Sequence, residues 1–169
     1  MLDNRKKLRQ ISIEMICFGL IMIIIYVVFN TFIGIAVVQG KSMYPTLESG
    51  SVILIRKPLR EPEIGDIVII DAKTYGKELI KRVIAKEGDV VDIDFKTGHV
   101  YVNSKLIDEP YVNEPTYKDY DIQFPVTVQE GCVFVLGDNR NESIDSRSTA
   151  VGQIPIDEIE GIYIRTIKY

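Results

Sequence analysis

The sequence predicts a mainly β protein, in which a single N-terminal transmembrane helix precedes one β-sheet or barrel-like domain. Three observations lead to this fold class. Residues 15–38 are almost all apolar, no later stretch shows well-capped helical periodicity, and the rest of the chain alternates short apolar runs with turn residues. The chain has 169 residues, so the part after the apolar run is long enough to form one domain with a core.

The apolar run is long enough to cross a bilayer, because a helix needs about 20 residues to span the hydrocarbon layer. Only Lys41 follows the run closely, whereas four cations precede it. These cations are Arg5, Lys6, Lys7 and Arg9. The bias predicts a cytoplasmic N-terminus at residues 1–12, a transmembrane helix in the lipid bilayer at 13–38, and an extracytoplasmic domain at 39–169.

A cleaved secretory signal peptide is the alternative interpretation of the same run. Its apolar region would be only about 7–15 residues long and would end at a cleavage site of small residues. The run is longer than that, and Gly34-Ile35-Ala36 is a weak match to such a site. The sequence therefore favours a retained anchor at the cell membrane.

The predicted strands follow one another along the domain, and turn residues separate them. Residues 61–66 contain Pro and Gly and predict a turn, while Lys96-Thr-Gly98 closes a hairpin. Residues 109–125 are rich in Tyr, Pro and acidic side chains and predict a long loop. The predicted strands are residues 51–56, 67–70, 79–84, 90–95, 99–102, two short strands within 126–136, and 159–167.

Charge and cysteine content exclude several functional classes. The formal net charge is −4, and because residues 1–38 carry +2, the predicted domain carries −6. An acidic domain argues against nucleic acid as a partner. Cys17 lies in the apolar run, Cys132 lies in a distant strand, and no metal-ligand spacing occurs. We therefore expect no disulfide, no metal and no cofactor.

Ser42 is the candidate nucleophile, because it lies where the chain leaves the predicted membrane helix and Pro45 makes a turn. A serine hydroxyl needs a base to take its proton at neutral pH. The one histidine, His99, lies in a predicted solvated strand, and Lys41 would face away from Ser42 in an extended chain. The remaining type of base is a lysine that burial makes neutral.

Lys81 is the candidate base, since it lies in an apolar strand and shares one face of it with Leu79 and Val83. Burial lowers the pKa of a lysine by up to about 3–5 units, and a neutral lysine is a competent general base. Periodicity alone favours the alternative, an edge-strand lysine whose ammonium group reaches water.

Residues 137–147 combine short polar side chains with two arginines directly after an apolar strand. Such a loop can satisfy its own backbone groups through Asx and Ser turns, and it can also orient a base. The alternative interpretation is an ordinary surface loop.

Four segments in this order resemble the sequence boxes of type I signal peptidases, the serine–lysine peptidases of family S26. The single predicted anchor and the short domain are similar to the Gram-positive bacterial form. The four segments are Gly40-Lys-Ser-Met-Tyr-Pro-Thr-Leu47, Gly65-Asp-Ile-Val68, Lys81-Arg-Val-Ile-Ala-Lys-Glu-Gly-Asp89 and Gly137-Asp-Asn-Arg-Asn-Glu-Ser-Ile-Asp-Ser-Arg147.

The resemblance implies a membrane-bound serine endopeptidase in which Ser42 is the nucleophile and Lys81 the base. It would remove N-terminal signal peptides from secretory preproteins after small residues in an Ala-x-Ala pattern, through an acyl-enzyme, close to the secretion translocon. The resemblance further implies that Ser143 hydrogen-bonds Lys81 and that Asp145 and Arg147 brace their loop. By the same matching, the substrate cleft is lined by Val38, Gln39, Gly40, Met43, Leu79 and Ile80.

Two features of the resemblance leave alternatives open. The family uses a second oxyanion donor two residues before the nucleophile, and here Gly40 offers no side chain, which leaves a backbone N–H or a water for that role. A catalytically inactive membrane-anchored β-module that binds preproteins is therefore the alternative function. A soluble repressor-type Ser–Lys peptidase would carry a DNA-binding domain, which the anchored acidic chain does not match.

Overall fold

The computed structural model describes residues 2–57 and 61–168 and divides them into two compact units. The first unit is helix α1 (Leu2–Phe32), and the second unit begins at Gly34. Large apolar side chains of α1, such as Ile16 and Phe18, are more than half exposed. Among the described residues no helix combines the length and apolarity that crossing a bilayer requires, which does not support the transmembrane helix predicted at 13–38.

The predicted helix also extends too far along the chain, because residues 33–37 form a strand, β1 (Ile33–Val37). The β-branched residues of this segment favour an extended backbone. Gly34 lies so close to strand β2 (Val52–Arg56) that an added Cβ would be 3.0 Å from Cγ1 of Ile55. Packing on a neighbouring strand thus decides the conformation of a segment whose apolar composition continues that of the helix.

The second unit is built from two β-sheets, which agrees with the mainly β fold class predicted from the sequence. The larger sheet has seven strands in the order β1-β2-β11-β3-β4-β9-β10, and the smaller has four in the order β7-β6-β5-β8. The remaining strands are β2 (Val52–Arg56), β3 (Ile67–Ala72), β4 (Lys77–Lys86), β5 (Val90–Asp94), β6 (His99–Val102), β7 (Lys105–Leu106), β8 (Val126–Thr127), β9 (Cys132–Leu136), β10 (Ile154–Pro155) and β11 (Ile159–Lys168).

All the predicted strands are present within a few residues of their expected ends. Three strands were not predicted: β1, β7 and β10. The strands β7 and β10 have only two residues each, which is too short for an alternation pattern in the sequence. Within the described chain, the segment between β7 and β8 contains no strand, as expected for a loop.

Strand β4 pairs with different strands along its length. Residues 77–82 pair with β3, and residues 82–86 also pair with β9 on the other side. No strand of the described chain pairs with that second side along residues 77–81. The first half of β4 therefore presents an open edge, on which backbone hydrogen-bonding groups can receive another extended chain.

Three buried apolar clusters fill the domain. One lies around Val68, Ile70 and Val135 of the larger sheet. A second contains Phe134 of β9 together with Val91 and Val100 of the smaller sheet, so it joins the two sheets. The third places Met43 and Leu47 against Ile53, Ile55, Ile67 and Ile69.

The second cluster generates a test of how the sheets are held together. Phe134 is fully buried, so truncation by Phe134→Ala should lower the free energy of unfolding by about 3–5 kcal/mol. The control is Ile164→Ala, at a side chain that is 41% exposed, which should change stability by less than about 1 kcal/mol. Urea unfolding followed by circular dichroism measures both, and equal costs would contradict the joining role of Phe134.

Candidate active site

The turn that carries Ser42 is fixed to the sheet by its apolar side chains. Met43 is 1% exposed and Leu47 is fully buried, and the amide of Leu47 donates to the carbonyl of Met43 at 2.8 Å. Ser42 lies between these anchors and the end of β1 and remains half-buried. Burial of the neighbours thus holds the hydroxyl at the surface of the domain without burying it completely.

Lys81 reaches this hydroxyl from strand β4. Its Nζ lies 2.9 Å from Oγ of Ser42 and donates at 3.0 Å to the carbonyl oxygen of Ile80. The residue is only 2% exposed. The edge-strand alternative, in which the ammonium group reaches water, therefore does not describe this lysine.

Burial changes the acidity of Lys81. Desolvation disfavours its charged form and lowers its pKa from 10.5 to about 8, with Arg147 acting in the same direction and Asp145 and Asp138 opposing it. With a pKa of about 8, roughly a tenth of the lysine is neutral at pH 7. A neutral amine 2.9 Å from a hydroxyl can accept its proton, so the pair can generate a serine nucleophile.

The loop after β9 contains the ion pair expected between Asp145 and Arg147. Both side chains are fully buried, and the guanidinium donates to the two carboxylate oxygens at 2.8 and 2.9 Å. Arg147 also donates to the carbonyl oxygens of Arg140 and Ser143, and Asp145 accepts from the amide of Gly137 at 3.0 Å. The pair therefore closes the loop on itself.

The expected hydrogen bond from Ser143 to Lys81 is not formed. The hydroxyl of Ser143 is buried and has no hydrogen-bond partner among the described residues. It lies beside Gly137, where an added Cβ would overlap it and would be 2.5 Å from the carbonyl oxygen of Ser42. Ser143 thus packs closely against Gly137, while Lys81 has Ser42 and Ile80 as its hydrogen-bond partners.

Four further residues hold the Ser42 turn and were not predicted from the sequence: Arg82, Thr46, Asp138 and Asn139. The carboxylate of Asp138 accepts hydrogen bonds from Arg82 at 2.6 and 2.8 Å and from Thr46 at 2.5 Å. The backbone amide of Asn139 donates to the carbonyl of Ser42, and its side chain donates to the carbonyl of Lys41, both at 3.0 Å. The sequence contained part of this information. Arg82 follows Lys81 on the opposite face of the strand, and Asp138 and Asn139 lie in the polar segment 137–147.

A cleft of about 280 Å³ leads to the dyad. Of the predicted cleft residues, Gln39, Leu79 and Ile80 line it, whereas Val38 and Met43 are buried in the third cluster and Gly40 lies outside the lining. Five other residues complete the lining: Ala36, Val37, Ile69, Lys77 and Glu78. Val38 and Gly40 differ from Gln39 because alternate residues of an extended segment point to opposite sides, whereas Met43 lies in the turn and is buried there.

The backbone of residues 37–40 follows the same alternation. The N–H and C=O groups of Val38 pair with residues 50 and 51, and the N–H of Gly40 donates to Oγ of Ser49 at 3.2 Å. The backbone groups of Val37 and Gln39 therefore point the other way, on the side of the cleft. Gly40 has a φ of +83°, a left-handed conformation that suits glycine and turns the chain towards Ser42.

The two other candidate bases lie elsewhere. His99 is exposed on β6 of the smaller sheet, with its ring against Tyr101. Lys41 is exposed next to Ser42 and contributes a backbone carbonyl to Asn139. The structure thus brings Lys81 alone of the three to the hydroxyl of Ser42.

Comparison with known proteins matches most of the chain to one protein family. The family model described as "Signal peptidase, peptidase S26" matches residues 11–166. Signal peptidase I of Bacillus amyloliquefaciens is 40% identical over 134 residues, which cover 73% of this chain and 68% of that protein. Signal peptidase I U of Bacillus subtilis is 34% identical over 167 residues, covering 92% of this chain and 87% of the relative.

A chloroplast protein and a crystal structure extend the comparison. Thylakoidal processing peptidase 1 of Arabidopsis thaliana is 39% identical over 138 residues, but the match covers only 38% of that longer protein and 73% of this chain. The crystal structure of a signal peptidase I from Enterococcus faecalis superposes with a TM-score of 0.53 at 28% identity, covering 62% of this chain and 98% of that one.

The burial of Lys81 generates a prediction about stability. Replacement of this buried amine by Lys81→Met should raise the free energy of unfolding at pH 7 by roughly 2–3 kcal/mol, because the cost of burying a charge disappears while side-chain volume is similar. The folded wild type binds fewer protons than the unfolded chain between pH about 8 and 10.5. Its stability should therefore rise with pH in that window, and the advantage of the variant should shrink.

Urea unfolding at pH 7 and pH 10 measures both effects. Lys41→Met is the matched control, since Lys41 is exposed and its replacement should leave stability within about 0.5 kcal/mol. A Lys81→Met protein that is less stable than the wild type at pH 7 would contradict the proposed cost of burial.

Proposed function

This chain belongs to the signal peptidases of the S26 peptidase family, and we propose that it is a serine endopeptidase that removes signal peptides from exported preproteins by means of Ser42 and Lys81. The observation that carries the proposal is the 2.9 Å separation of Lys81 Nζ and Ser42 Oγ, together with the burial of the lysine. An inactive module that binds preproteins would have no need to keep a desolvated amine against a hydroxyl, at a cost in stability.

Substrate binding uses the open edge of β4. An extended segment of the preprotein lies along residues 77–81 on one side and faces the backbone of Val37 and Gln39 on the other. Main-chain hydrogen bonds then supply affinity, and the side chains of the cleft select the residues before the scissile bond. With about 280 Å³ to share among several substrate residues, the cleft suits the small residues of an Ala-x-Ala pattern.

In the proposed reaction, Lys81 transfers protons at the same site at which Ser42 attacks the substrate. Neutral Lys81 takes the proton of Ser42, and Oγ forms a bond to the scissile carbonyl carbon, so that negative charge develops on the carbonyl oxygen. The resulting ammonium group of Lys81 gives its proton to the leaving amine as the C–N bond breaks, and an acyl-enzyme remains. Lys81 then takes a proton from a water molecule, whose oxygen attacks the carbonyl carbon of this ester. The C–Oγ bond breaks, Lys81 returns the proton to Oγ, and the signal peptide leaves with a C-terminal carboxylate.

The developing oxyanion needs donors placed before the reaction begins. The backbone N–H of Ser42 is the first donor. The N–H of Gly40 is engaged by Ser49, so a water or another backbone N–H is the second donor in this proposal. Asp145 and Arg147 contribute indirectly, because their buried ion pair holds the loop that packs against Ser42.

The proposed location is the cell membrane, with the catalytic domain on the outer face and the apolar N-terminal segment as its attachment. The apolar run of residues 15–38, the cations before it and the exposed apolar side chains of α1 support this location. Preproteins are tethered to the same membrane by their own apolar signals, so confinement raises the effective concentration of enzyme and substrate near the translocon.

The dyad is tested by cleavage of a preprotein and of an Ala-x-Ala peptide. Ser42→Ala and Lys81→Ala should each abolish detectable cleavage, a loss of at least about 10³-fold, while circular dichroism remains that of the wild type. Lys41→Ala is the matched control, because it removes an exposed amine beside Ser42 and should leave the rate within about twofold. Substantial processing by the Lys81→Ala enzyme would refute the dyad.

The pH dependence of kcat/KM provides an independent test. Only the neutral form of Lys81 can act as base, so kcat/KM should rise with pH along a single ionisation with a midpoint of about 8 and then level off. The variant His99→Gln should leave this profile unchanged. A profile that changes with His99→Gln would assign the base to histidine instead.

A further inference from the structure

A segment outside the proposed dyad contacts the residues that hold it in place. We define the strap as residues 107–125, which connect β7 to β8. Its side chains Glu109 and Tyr111 contact Arg140 and Arg82, respectively. We propose that Glu109 and Tyr111 are positioning residues of the peptidase, which set the place of Ser42 relative to Lys81; this inference rests on the proposed function and deepens it.

The first connection runs through Tyr111. The centroid of its ring lies 3.9 Å from the guanidinium carbon of Arg82, a distance at which a cation over the face of an aromatic ring is attracted to it. Arg82 donates through two nitrogens to Asp138, and Asp138 accepts from Thr46 of the nucleophile turn at 2.5 Å. Contact with the ring on one side and two hydrogen bonds to Asp138 on the other restrict the orientation of this guanidinium. Tyr111 therefore fixes the direction from which Arg82 holds Asp138.

The second connection runs through Glu109. Its carboxylate oxygens accept from Arg140 at 2.5 and 2.9 Å, and one of them accepts from the hydroxyl of Tyr111 at 3.2 Å. Arg140 is fully buried, also donates to Thr116 of the strap, and donates through Nε to the carbonyl of Gly137 at 3.0 Å. Burial and the nearby carboxylate raise the pKa of Tyr111, which keeps the hydroxyl a donor.

The two connections meet in three consecutive residues. Asp138 is held by Arg82, Arg140 is held by Glu109, and Asn139 between them donates its amide to the carbonyl of Ser42. The strap thus acts on Asp138 through Arg82 and holds Arg140 directly. These two residues flank Asn139, which fixes the main chain of Ser42. The described hydrogen bonds of Lys81 go to Ser42 and Ile80 and not to residues 138–140, so a shift of residues 138–140 would change the distance from Nζ to Oγ.

The cleft walls do not take part in these contacts. Gln39, Leu79 and Ile80 line the cleft, and none of the described contacts of Glu109 or Tyr111 involves them. Loss of the strap contacts should therefore impair the chemical step more than substrate binding. Misplacement of a reacting group by about 1 Å can cost about 100-fold in rate, so a smaller displacement is sufficient for a measurable effect.

The test measures kcat and KM of the full chain on an Ala-x-Ala peptide for a set of strap variants. Tyr111→Leu removes the ring under Arg82, and it should lower kcat about tenfold or more with KM within about twofold. Tyr111→Phe keeps the ring and should restore kcat to within about threefold of the wild type. Tyr101→Leu, at a partly exposed tyrosine of the smaller sheet, is the matched control and should leave kcat unchanged.

A double-mutant cycle separates positioning from general destabilisation. Thr46→Val removes the other contact of Asp138, so its effect on kcat should combine with that of Tyr111→Leu less than multiplicatively, whereas the effect of Tyr101→Leu should be independent. If Tyr111→Leu does not fold, Glu109→Gln decides, because it weakens the hold on Arg140 and should lower kcat with KM unchanged.

The outcomes that overturn the inference are distinct from failure of the proposed function. A folded Tyr111→Leu or Glu109→Gln enzyme with kcat within twofold of the wild type would overturn it, as would a loss expressed in KM alone or an equal loss in Tyr101→Leu. If the wild type itself does not cleave the peptide while remaining folded, the proposed function fails first.

Discussion

The site depends on one interaction, the contact of a desolvated amine with a hydroxyl. Lys81 Nζ lies 2.9 Å from Ser42 Oγ, and burial lowers the pKa of the lysine to about 8. An ammonium ion surrounded by water could not serve as a base at neutral pH, and a hydroxyl without a base would be a poor nucleophile. The energetic cost of burying the amine is therefore inseparable from its use.

Two groups of residues keep this contact in place from opposite sides. Strand β4 carries Lys81 on one face and Arg82 on the other, so a single element supplies the proposed base and a cation that holds the Ser42 turn through Asp138. The loop after β9 holds the Ser42 turn through Asn139, and a buried Asp145–Arg147 ion pair stabilises the loop itself. The same half of β4 also presents the open edge at which an extended chain can add, which places binding and chemistry side by side.

Much of the arrangement could be predicted from the sequence because it depends on local patterns. Alternation and turn residues predicted every strand longer than two residues apart from β1, and the apolar strand around position 81 identified the candidate base. The family resemblance supplied the pairing of that base with Ser42, since a sequence separation of 39 residues carries no geometric information. Conversely, apolar character alone placed residues 33–37 in a helix, because a short apolar run does not by itself distinguish a helix from a strand.

Taken alone, the amino-acid sequence predicts the mainly β fold class and the family, and it makes Ser42 and Lys81 the candidate nucleophile and base. Packing of the sheets sets which residues face the cleft, so that Val38 and Met43 lie in the core. It also sets which groups are partners, so that Ser143 does not bond Lys81 while Asp138 and Asn139 hold the Ser42 turn. The physical reason is that hydrogen bonds and burial depend on distances between segments far apart in the chain, and those distances are set when the sheets pack.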